Sequence, residues 1–272
     1  MSNIQYGCQF YTWQMSGEKY IGEMPHILNV VSKAHFAGIE PDIAMMGKYF
    51  DDPVLMQSLL DETKLQLSAL CLVQDWRGPK ESDEERQTSE KLLNYMKHFP
   101  DTHLMLCQMP LDDRSDLEER QQNCIKCIND IAKRAADRGI VSSVHPNSPG
   151  GSVFRIEDDY KVLMDGIDAS VLGYCPDSGH ILNGDMDVYR IFETYMSLVK
   201  HAHLKDITAD KEWAPMGQGI TDFPRLHQML HEANYDGWVM VEEESKLAAS
   251  EPYKATEING VYLKESLLPL GK

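Results

Sequence analysis

Three short apolar segments of the chain end in side chains of the types that bind divalent metals. The segment GYCPDSGH ends in Asp177 and His180, the segment LVKHAHLKD contains His203 and Lys205, and the segment GWVMVEEES ends in the glutamates 242–244. Because side chains alternate along a strand, His203 and Lys205 point to the same face. Imidazole nitrogens and carboxylate oxygens on neighbouring strands predict metal-assisted chemistry on a polar substrate.

A fourth segment, IVSSVH, ends in a histidine and extends this pattern. Each of these side chains by itself is as well explained by a structural hydrogen bond or a helix cap. The four together favour a single divalent metal, because the ends of parallel strands meet on one rim of a closed barrel. The predicted ligands are His145, Asp177, His203 and Glu242. Mn²⁺, Co²⁺, Mg²⁺, Zn²⁺ and Fe²⁺ all suit such a donor set, and we favour Mn²⁺.

The elements that must position these residues alternate between β-rich segments and helical segments. The predicted strands are 4–13, 38–43, 66–73, 103–109, 140–145, 171–176, 198–204 and 238–242. The predicted helices are 24–37, 53–63, 83–98, 115–138, 156–167, 187–195, 223–233 and 253–268. Eight such repeats predict an α/β fold, a (β/α)8 TIM barrel, as a single domain over residues 1–272. The alternative, an open doubly wound sheet, needs a glycine-rich first turn that residues 9–17 lack.

Composition narrows the class of partner. The 272 residues carry a formal charge of −17, which disfavours binding to a nucleic acid. The N-terminal residues lack the apolar core of a signal peptide, and no apolar run approaches membrane-span length, so we expect a cytoplasmic protein without a membrane partner. Whether the chain forms a homo-oligomer is left open. Cys124 and Cys127 form a CxxC inside a helical pattern, which favours packed helix residues over a redox or zinc site.

The same motifs carry a resemblance to a known family. The segments GYCPDSGHILNGDMD, HAHLKD, MGQGITDF and YDGWVMVEEES are similar to those of the sugar phosphate isomerase/epimerase superfamily of xylose isomerase-like barrels. Within that superfamily the chain most resembles the inosose dehydratases. The resemblance implies that Asp177, His203 and Glu242 fall on metal-ligand positions. Most members carry glutamate at the fifth strand, whereas this chain has His145, as the inosose dehydratases do.

That departure favours one reaction. Isomerases and epimerases of the superfamily use two carboxylates to move a proton, and His145 breaks the pair, whereas an elimination needs only one base and one acid. We therefore predict a metal-dependent lyase that dehydrates a keto-cyclitol or keto-sugar. The alternatives are a sugar isomerase or ketose 3-epimerase with Glu242 as its base, and a catalytically silent sugar-binding barrel. Abasic-site DNA endonucleases of the superfamily need a metal cluster and a basic surface, and the sequence shows neither.

The remaining candidates are side chains near the predicted strand ends that could handle a polyol substrate. The predicted catalytic residues are Glu242, Lys205 and His180, since an ammonium or imidazole beside a metal can donate a proton. The predicted substrate-binding residues are Trp13, Glu40, Gln108, Asn147, His180 and Glu244. The glycines of the MGQG segment allow a close backbone approach, which gives a weak indication of phosphate binding.

Overall fold

The computed structural model describes residues 3–271, which divide into two compact units. The first unit comprises residues up to Leu70 together with those from Ala202 onward, and the second comprises Cys71–His201. The single domain expected from the sequence stays a prediction.

The strands and helices alternate along the chain as the sequence predicts. Numbered in chain order over residues 3–271, the strands are β1 (Gln5–Gln9), β2 (Gly38–Glu40), β3 (Gln66–Leu67), β4 (Ala69–Gln74), β5 (His103–Gln108), β6 (Ser142–Val144), β7 (Leu172–Tyr174), β8 (Ala202–Leu204), β9 (Asp206–Ile207), β10 (Trp213–Ala214) and β11 (Trp238–Val241). The α-helices are α1 (Tyr11–Gln14), α2 (Met24–Lys33), α3 (Pro53–Thr63), α4 (Asp83–Met96), α5 (Leu117–Ala136), α6 (Glu157–Gly166), α7 (Ser178–Asn183), α8 (Val188–Tyr195), α9 (Phe223–Glu232), α10 (Lys246–Ser250) and α11 (Pro252–Tyr262).

The first unit contains a five-stranded sheet in the order β3-β2-β1-β11-β8, in which every pair is parallel. The register aligns Leu204 with Val241, and the Glu242 N–H donates to the Leu204 carbonyl. The side chains that follow β8 and β11 therefore emerge at one edge of this sheet. Gln9 aligns with Glu40 at the same ends of β1 and β2.

The second unit contains a sheet in the order β4-β5-β6-β7, with β6 parallel to both β5 and β7. Val144 aligns with Leu106 and with Tyr174, and the His145 N–H donates to the Leu106 carbonyl. His145 is therefore the first residue past the end of β6. Leu172, Gly173 and Tyr174 of β7 are all buried, as is usual for a parallel strand covered on both faces.

The helices pack apolar faces against these sheets. Side-chain hydrogen bonds at their first residues help to determine where they begin. Ile27, Leu28 and Val31 of α2 are fully buried. The hydroxyl of Ser82 accepts a hydrogen bond from the Glu85 N–H, and the Glu85 side chain accepts one from the Ser82 N–H, so a capping box fixes the start of α4. No helix among residues 3–271 is long and apolar enough to cross a membrane.

The structure differs from the predicted elements mainly where elements are short. The first predicted strand stops at Gln9, and Trp13 lies in α1 rather than at the strand end. Helices α1, α7 and α10 and the antiparallel pair β9–β10 were not predicted. Segments of two to six residues contain too few positions to show a period. The six cysteines are buried free thiols, and burial raises the pKa of Cys124 well above its ordinary value, as expected for packed helix residues.

Candidate active site

In the first unit, His203 of β8 lies between two glutamates that come from different strands. Its Nε2 is 2.9 Å from Glu40 Oε1, and its Nδ1 is 3.1 Å from Glu242 Oε2. All three side chains are at least 95 % buried. Both ring nitrogens thus face carboxylate oxygens in a region without solvent, which fixes the plane of the imidazole.

Lys205, two residues further along the same face, is fully buried beside the same carboxylate. Its Nζ is 2.8 Å from Glu242 Oε1 and donates a short hydrogen bond to Glu244 Oε1. The ammonium also lies over the ring of Trp213, 5.1 Å from the ring centroid. A buried ammonium requires such partners, because an unpaired charge inside a protein is very costly.

Glu242 therefore lies between the imidazole and the ammonium of this cluster. One of its oxygens faces the imidazole of His203 and the other faces the ammonium of Lys205. In this cluster, carboxylates alternate with an imidazole and an ammonium. Its members are all residues that the sequence analysis predicted for the site: Glu40, His203, Lys205, Glu242 and Glu244. The cluster contains groups that can accept a proton next to groups that can donate one.

Glu243 points to the opposite face, and the sequence analysis named it only as a member of the run 242–244 without giving it a role. Its Oε1 accepts a hydrogen bond from the Ser245 N–H at 2.6 Å, and burial raises the pKa of its carboxyl group. Its Oε2 is buried with no hydrogen-bond partner among residues 3–271. The signal that could have revealed it is the run of three glutamates, in which the middle residue must leave the face of its neighbours.

In the second unit, Asp177 is held by the helix that follows it. Asp177 is the N-cap of α7, and its Oδ1 accepts a hydrogen bond from the His180 N–H at 2.8 Å. Its Oδ2 is 3.5 Å from Nε2 of His145. The short motif DSGH therefore folds locally into a cap that fixes one carboxylate oxygen and turns the other toward an imidazole.

His180 is oriented by Ser148, a second residue that the sequence analysis missed. The Ser148 hydroxyl is 2.8 Å from Nδ1 of His180 and accepts a hydrogen bond from the Asn183 side chain at 2.8 Å. The rings of His145 and His180 meet edge to face, with centroids 5.4 Å apart. Ser148 lies in the proline- and glycine-rich loop after β6. The composition of this loop, and not the serine itself, was the sequence feature that could have pointed to a functional residue here.

Gln108 and Asn147 also lie near the ends of strands in this unit, but they differ in how many of their side-chain polar atoms have hydrogen-bond partners. Gln108 Nε2 donates to the Asp75 carbonyl, and its Oε1 is buried without a partner among the described residues. Asn147 donates to the Gln108 carbonyl at 2.8 Å and accepts a hydrogen bond from Ser152. Asn147 thus ties its loop to β5.

Two further predictions, substrate binding by Trp13 and phosphate binding by the MGQG segment, concern residues whose contacts are with other parts of the protein. Trp13 is fully buried, and its ring packs edge to face on Tyr20 and His26 with centroid distances of 5.0 and 5.6 Å. Within the MGQG segment, the N–H groups of Gly217 and Gly219 donate to Asp206 Oδ2 at 2.9 and 2.8 Å. A β-carbon at Gly219 would lie 2.3 Å from Asp206 Oδ1, so this segment is shaped around an internal carboxylate rather than a phosphate.

The family follows from a comparison with known proteins. Residues 28–261 match the model of the xylose isomerase-like TIM barrel family. The chain belongs to this family, and the fold expected from the sequence, a (β/α)8 barrel of the xylose isomerase type, is confirmed.

Individual relatives are more distant. The chain is 29 % identical over 156 residues to the inosose dehydratase of Clostridium beijerinckii, a match that covers 51 % of this chain and 52 % of that protein. It therefore spans about half the length of the Clostridium relatives that it matches. Two solved structures are similar at a TM-score of 0.72, the 3-keto-D-glucoside 4-epimerase YcjR of E. coli and the IOLI protein with a bound zinc atom. They are 15 % and 13 % identical to this chain, which they match over 96 % of its length, and 99 % and 97 % of their own chains are covered.

Proposed function

We propose that this protein is a divalent-metal-dependent lyase that removes water from a keto-cyclitol or keto-sugar. The observation that carries the proposal is the position of Glu242, with the imidazole of His203 on one side and the ammonium of Lys205 on the other. An elimination requires a base for a carbon-bound proton and an acid for the departing hydroxyl, and here both kinds of group are adjacent. The inosose dehydratase relatives support the same reaction class.

The proposed metal ligands are His145 and Asp177 of the second unit and His203 and Glu242 of the first. Each pair already puts an imidazole nitrogen within 3.5 Å of a carboxylate oxygen, in buried surroundings. Such nitrogen and oxygen donors suit Mn²⁺, Co²⁺, Zn²⁺ or Fe²⁺, and Mg²⁺ less well because it prefers oxygen. In a (β/α)8 barrel the strand ends that carry these residues belong to one rim. The zinc atom of the IOLI protein supports a metal in this family.

Glu40 was expected to bind the substrate, but its position beside His203 suits a different role at a metal centre. If His203 binds metal through Nδ1, its Nε2–H would lie beside the carboxylate of Glu40, whose Oε1 is 2.9 Å from Nε2. Metal-bound histidines usually donate their second N–H to a carboxylate or carbonyl, which fixes the tautomer and the ring orientation. We therefore propose that Glu40 orients a ligand rather than a substrate hydroxyl.

A bound divalent ion would withdraw electrons from the ketone oxygen and make the neighbouring C–H more acidic. In the proposed reaction, Glu242 or Glu244 takes up the proton from that carbon, and the C–H electron pair becomes the new C=C bond. Lys205 or His180 donates a proton to the departing hydroxyl, so that the C–O bond breaks and water leaves. The buried Lys205 ammonium is suited to this because it already donates to Glu244.

The substrate would be a small polyol with a ketone. The buried Oε1 of Gln108 is an acceptor that a substrate hydroxyl could satisfy. Trp13 and Asn147 would shape the site rather than bond the substrate, because Trp13 packs on Tyr20 and His26 and Asn147 is bonded to the Gln108 carbonyl and to Ser152.

The runner-up is a sugar isomerase or ketose 3-epimerase that uses the same groups. The structural similarity to an epimerase favours keeping it as an alternative. Glu242 could remove a proton in either reaction, but return of a proton from the opposite side needs a second general acid–base group at the strand that carries His145. A catalytically silent sugar-binding barrel would need neither the buried ammonium nor a metal.

The test combines metal analysis with an assay in deuterated water. Protein purified without chelator should contain about one divalent ion per chain. Incubation with keto-inositols should release water and give an ultraviolet-absorbing product, whereas inversion of a ketose with deuterium incorporation and no loss of water would establish the runner-up. A protein that neither contains nor takes up Mn²⁺, Co²⁺ or Zn²⁺ would rule out both enzyme functions.

Two variants test the ligand assignment. His203→Ala should lose metal and activity while the chain stays folded. His145→Glu should retain metal, because carboxylate replaces imidazole as a donor, but should lower dehydration. If His203→Ala keeps its metal and unfolds, His203 is a structural histidine and the proposed centre is wrong.

A further inference from the structure

A groove of about 620 Å³ lies on the surface of the first unit, along α9. Asp222, Arg225, His227 and His231 of this helix region line it, and Leu270 of the C-terminal 3-10 turn borders it. Its volume is in the range of small-molecule sites. None of these residues belongs to the proposed metal centre.

His227 forms the buried part of this groove. It is 95 % buried, its Nδ1 is 2.6 Å from the hydroxyl of Tyr6, and the two rings stack with centroids 6.2 Å apart. Its Nε2 is buried without a hydrogen-bond partner among residues 3–271. A polar ring atom in this position is costly unless something else satisfies it.

The contact with Tyr6 indicates which ring nitrogen carries the proton. Burial raises the pKa of Tyr6, so its hydroxyl stays protonated, and burial followed by the nearby His231 lowers the pKa of His227, so its ring is neutral. If the hydroxyl donates to Nδ1, both of those atoms are satisfied and the ring proton lies on Nε2. The reverse arrangement would leave the buried hydroxyl proton of Tyr6 without an acceptor among the described residues. His227 therefore presents an N–H donor.

Arg225 brings a positive charge to the groove beside His227. Arg225 and His231 lie on the same helix as His227 and are exposed. The carboxylate of Asp222 is the one acidic group that lines the groove among residues 3–271, and its Oδ1 already accepts the Arg225 N–H as the cap of α9. The groove begins at this helix N-terminus, where the helix dipole also favours an anion.

We propose that this groove is a second ligand site, which binds a small molecule through a carboxylate or phosphate group. An oxyanion oxygen would accept the hydrogen bond of His227 Nε2–H, and the guanidinium of Arg225 would neutralise its charge. The apolar edges of Pro224 and Leu270 would contact the rest of the ligand.

The experiment titrates the full-length protein with inorganic phosphate and, separately, with acetate, at ionic strength held constant with chloride. The readout is the ¹H–¹⁵N signal of the His227 side chain, with calorimetry for affinity. We expect a saturable shift of the Nε2–H signal with at least one anion, and the relative affinities of phosphate and acetate identify the preferred group. Arg225→Gln and His227→Phe should each weaken binding about tenfold, the loss of one charge-assisted hydrogen bond.

Two exposed residues elsewhere provide matched controls. Arg77→Gln and His98→Gln remove the same types of side chain from the second unit and should leave the affinity unchanged. His227→Phe keeps an aromatic ring against Tyr6, and Arg225→Gln tests the site without altering any buried residue. A shift that does not saturate, an equal loss in the control variants, or binding of Zn²⁺ at His227 and His231 with no response to anions would overturn the proposal.

Discussion

The two units hold their candidate catalytic groups in different ways. In the first unit, His203 and Lys205 are surrounded by carboxylates, and the contacts are between groups that can carry opposite charges. In the second unit, Asp177 and His180 are held by a helix cap and by the hydroxyl of Ser148. The first arrangement depends on paired charges, and the second depends on hydrogen bonds from a backbone N–H and a serine hydroxyl.

The difference predicts how each unit responds to mutation. Removing one member of a buried ion pair leaves its partner charged and unpaired, which typically costs about 3–5 kcal/mol. Removing a neutral hydrogen bond costs about 1 kcal/mol, and its main effect is on the orientation of the partner. Variants that remove a charge from the first unit should therefore lower both stability and activity, whereas loss of a hydroxyl in the second unit should act mainly on activity.

The largest effect is expected from Lys205→Met. This change leaves Glu242 and Glu244 without the ammonium that joins them, so we expect a loss of about 3 kcal/mol in the free energy of unfolding. Dehydration should fall by at least about 100-fold if Lys205 is a general acid. Chemical denaturation and kcat measurements check the two effects.

The matched control for that variant is Lys246→Met. Lys246 forms an ion pair with Glu212 at 3.2 Å, but the two side chains are 94 % and 66 % exposed. Exposed pairs contribute about 0–1 kcal/mol, so the control should be nearly neutral. Equal losses in the free energy of unfolding in the two variants would show that burial does not strengthen the ion pairs of Lys205. The proposed difference between the two units would then be wrong.

Glu40→Gln should have the next largest effect. The amide keeps the shape of Glu40 but replaces the negative charge that faces His203 Nε2, so metal affinity should fall about 10–100-fold. Metal titration measures this. The exposed Glu18→Gln is the control and should bind metal normally. Unchanged metal affinity combined with a raised KM would instead return Glu40 to the substrate-binding role predicted from the sequence.

Ser148→Ala tests the second unit. Loss of the hydroxyl frees Nδ1 of His180, so kcat should fall about tenfold while metal content and the free energy of unfolding change little. Ser142→Ala is the control, because Ser142 is equally buried and its hydroxyl donates to the Val171 carbonyl at 3.2 Å. A drop in metal content in Ser148→Ala would mean that the neutral hydrogen bonds also support the metal centre.

The last prediction concerns the pH dependence contributed by Asp42, a buried carboxylate of the first unit. Burial raises the pKa of Asp42 to about 6, against the opposing hydrogen bond from the Ala44 N–H. The folded state therefore holds this proton more tightly than the unfolded state, so the stabilisation is complete below pH 4 and is lost as pH rises through 6. A shift of two units corresponds to at most about 3 kcal/mol.

Asp42→Asn removes this titration and keeps the oxygen that caps the following 3-10 turn. The variant should be more stable than the native protein at pH 7, and the difference should vanish near pH 4. Denaturation curves at both pH values measure the difference. A constant difference between the two proteins would show that Asp42 titrates normally in the folded state.

Much of the architecture was predictable because it depends on local pattern. The eight predicted strand regions each contain an observed strand, and α3 has the predicted bounds. The capping residues Ser82 and Asp177 act through N–H groups within three residues of themselves, so their effect can be read from adjacent letters. The family resemblance, carried by the C-terminal motifs, was confirmed by the family match over residues 28–261.

The boundaries of some elements were not predictable from spacing. Ser115 and Glu118 have the spacing of a capping box, but α5 begins at Leu117 after Asp116, whose φ of 51° is left-handed and which makes no side-chain cap bond. The Ser115 hydroxyl bonds instead to Asp113. Side-chain bonds within a turn compete with those that cap a helix, and the sequence alone does not show which one forms.

The sequence by itself determined which residue types stand at the strand ends, because strand and helix periods show which positions face inward. Only the tertiary structure decided what each of them contacts. Glu40 faces His203, Asp206 occupies the MGQG loop, and Asn147 is bonded to the Gln108 carbonyl at the end of β5. Glu40 and Asn147 meet partners well separated from them along the chain. Spacing in the sequence carries no information about distances across a fold, so the role of each polar residue depends on which partner folding brings to it.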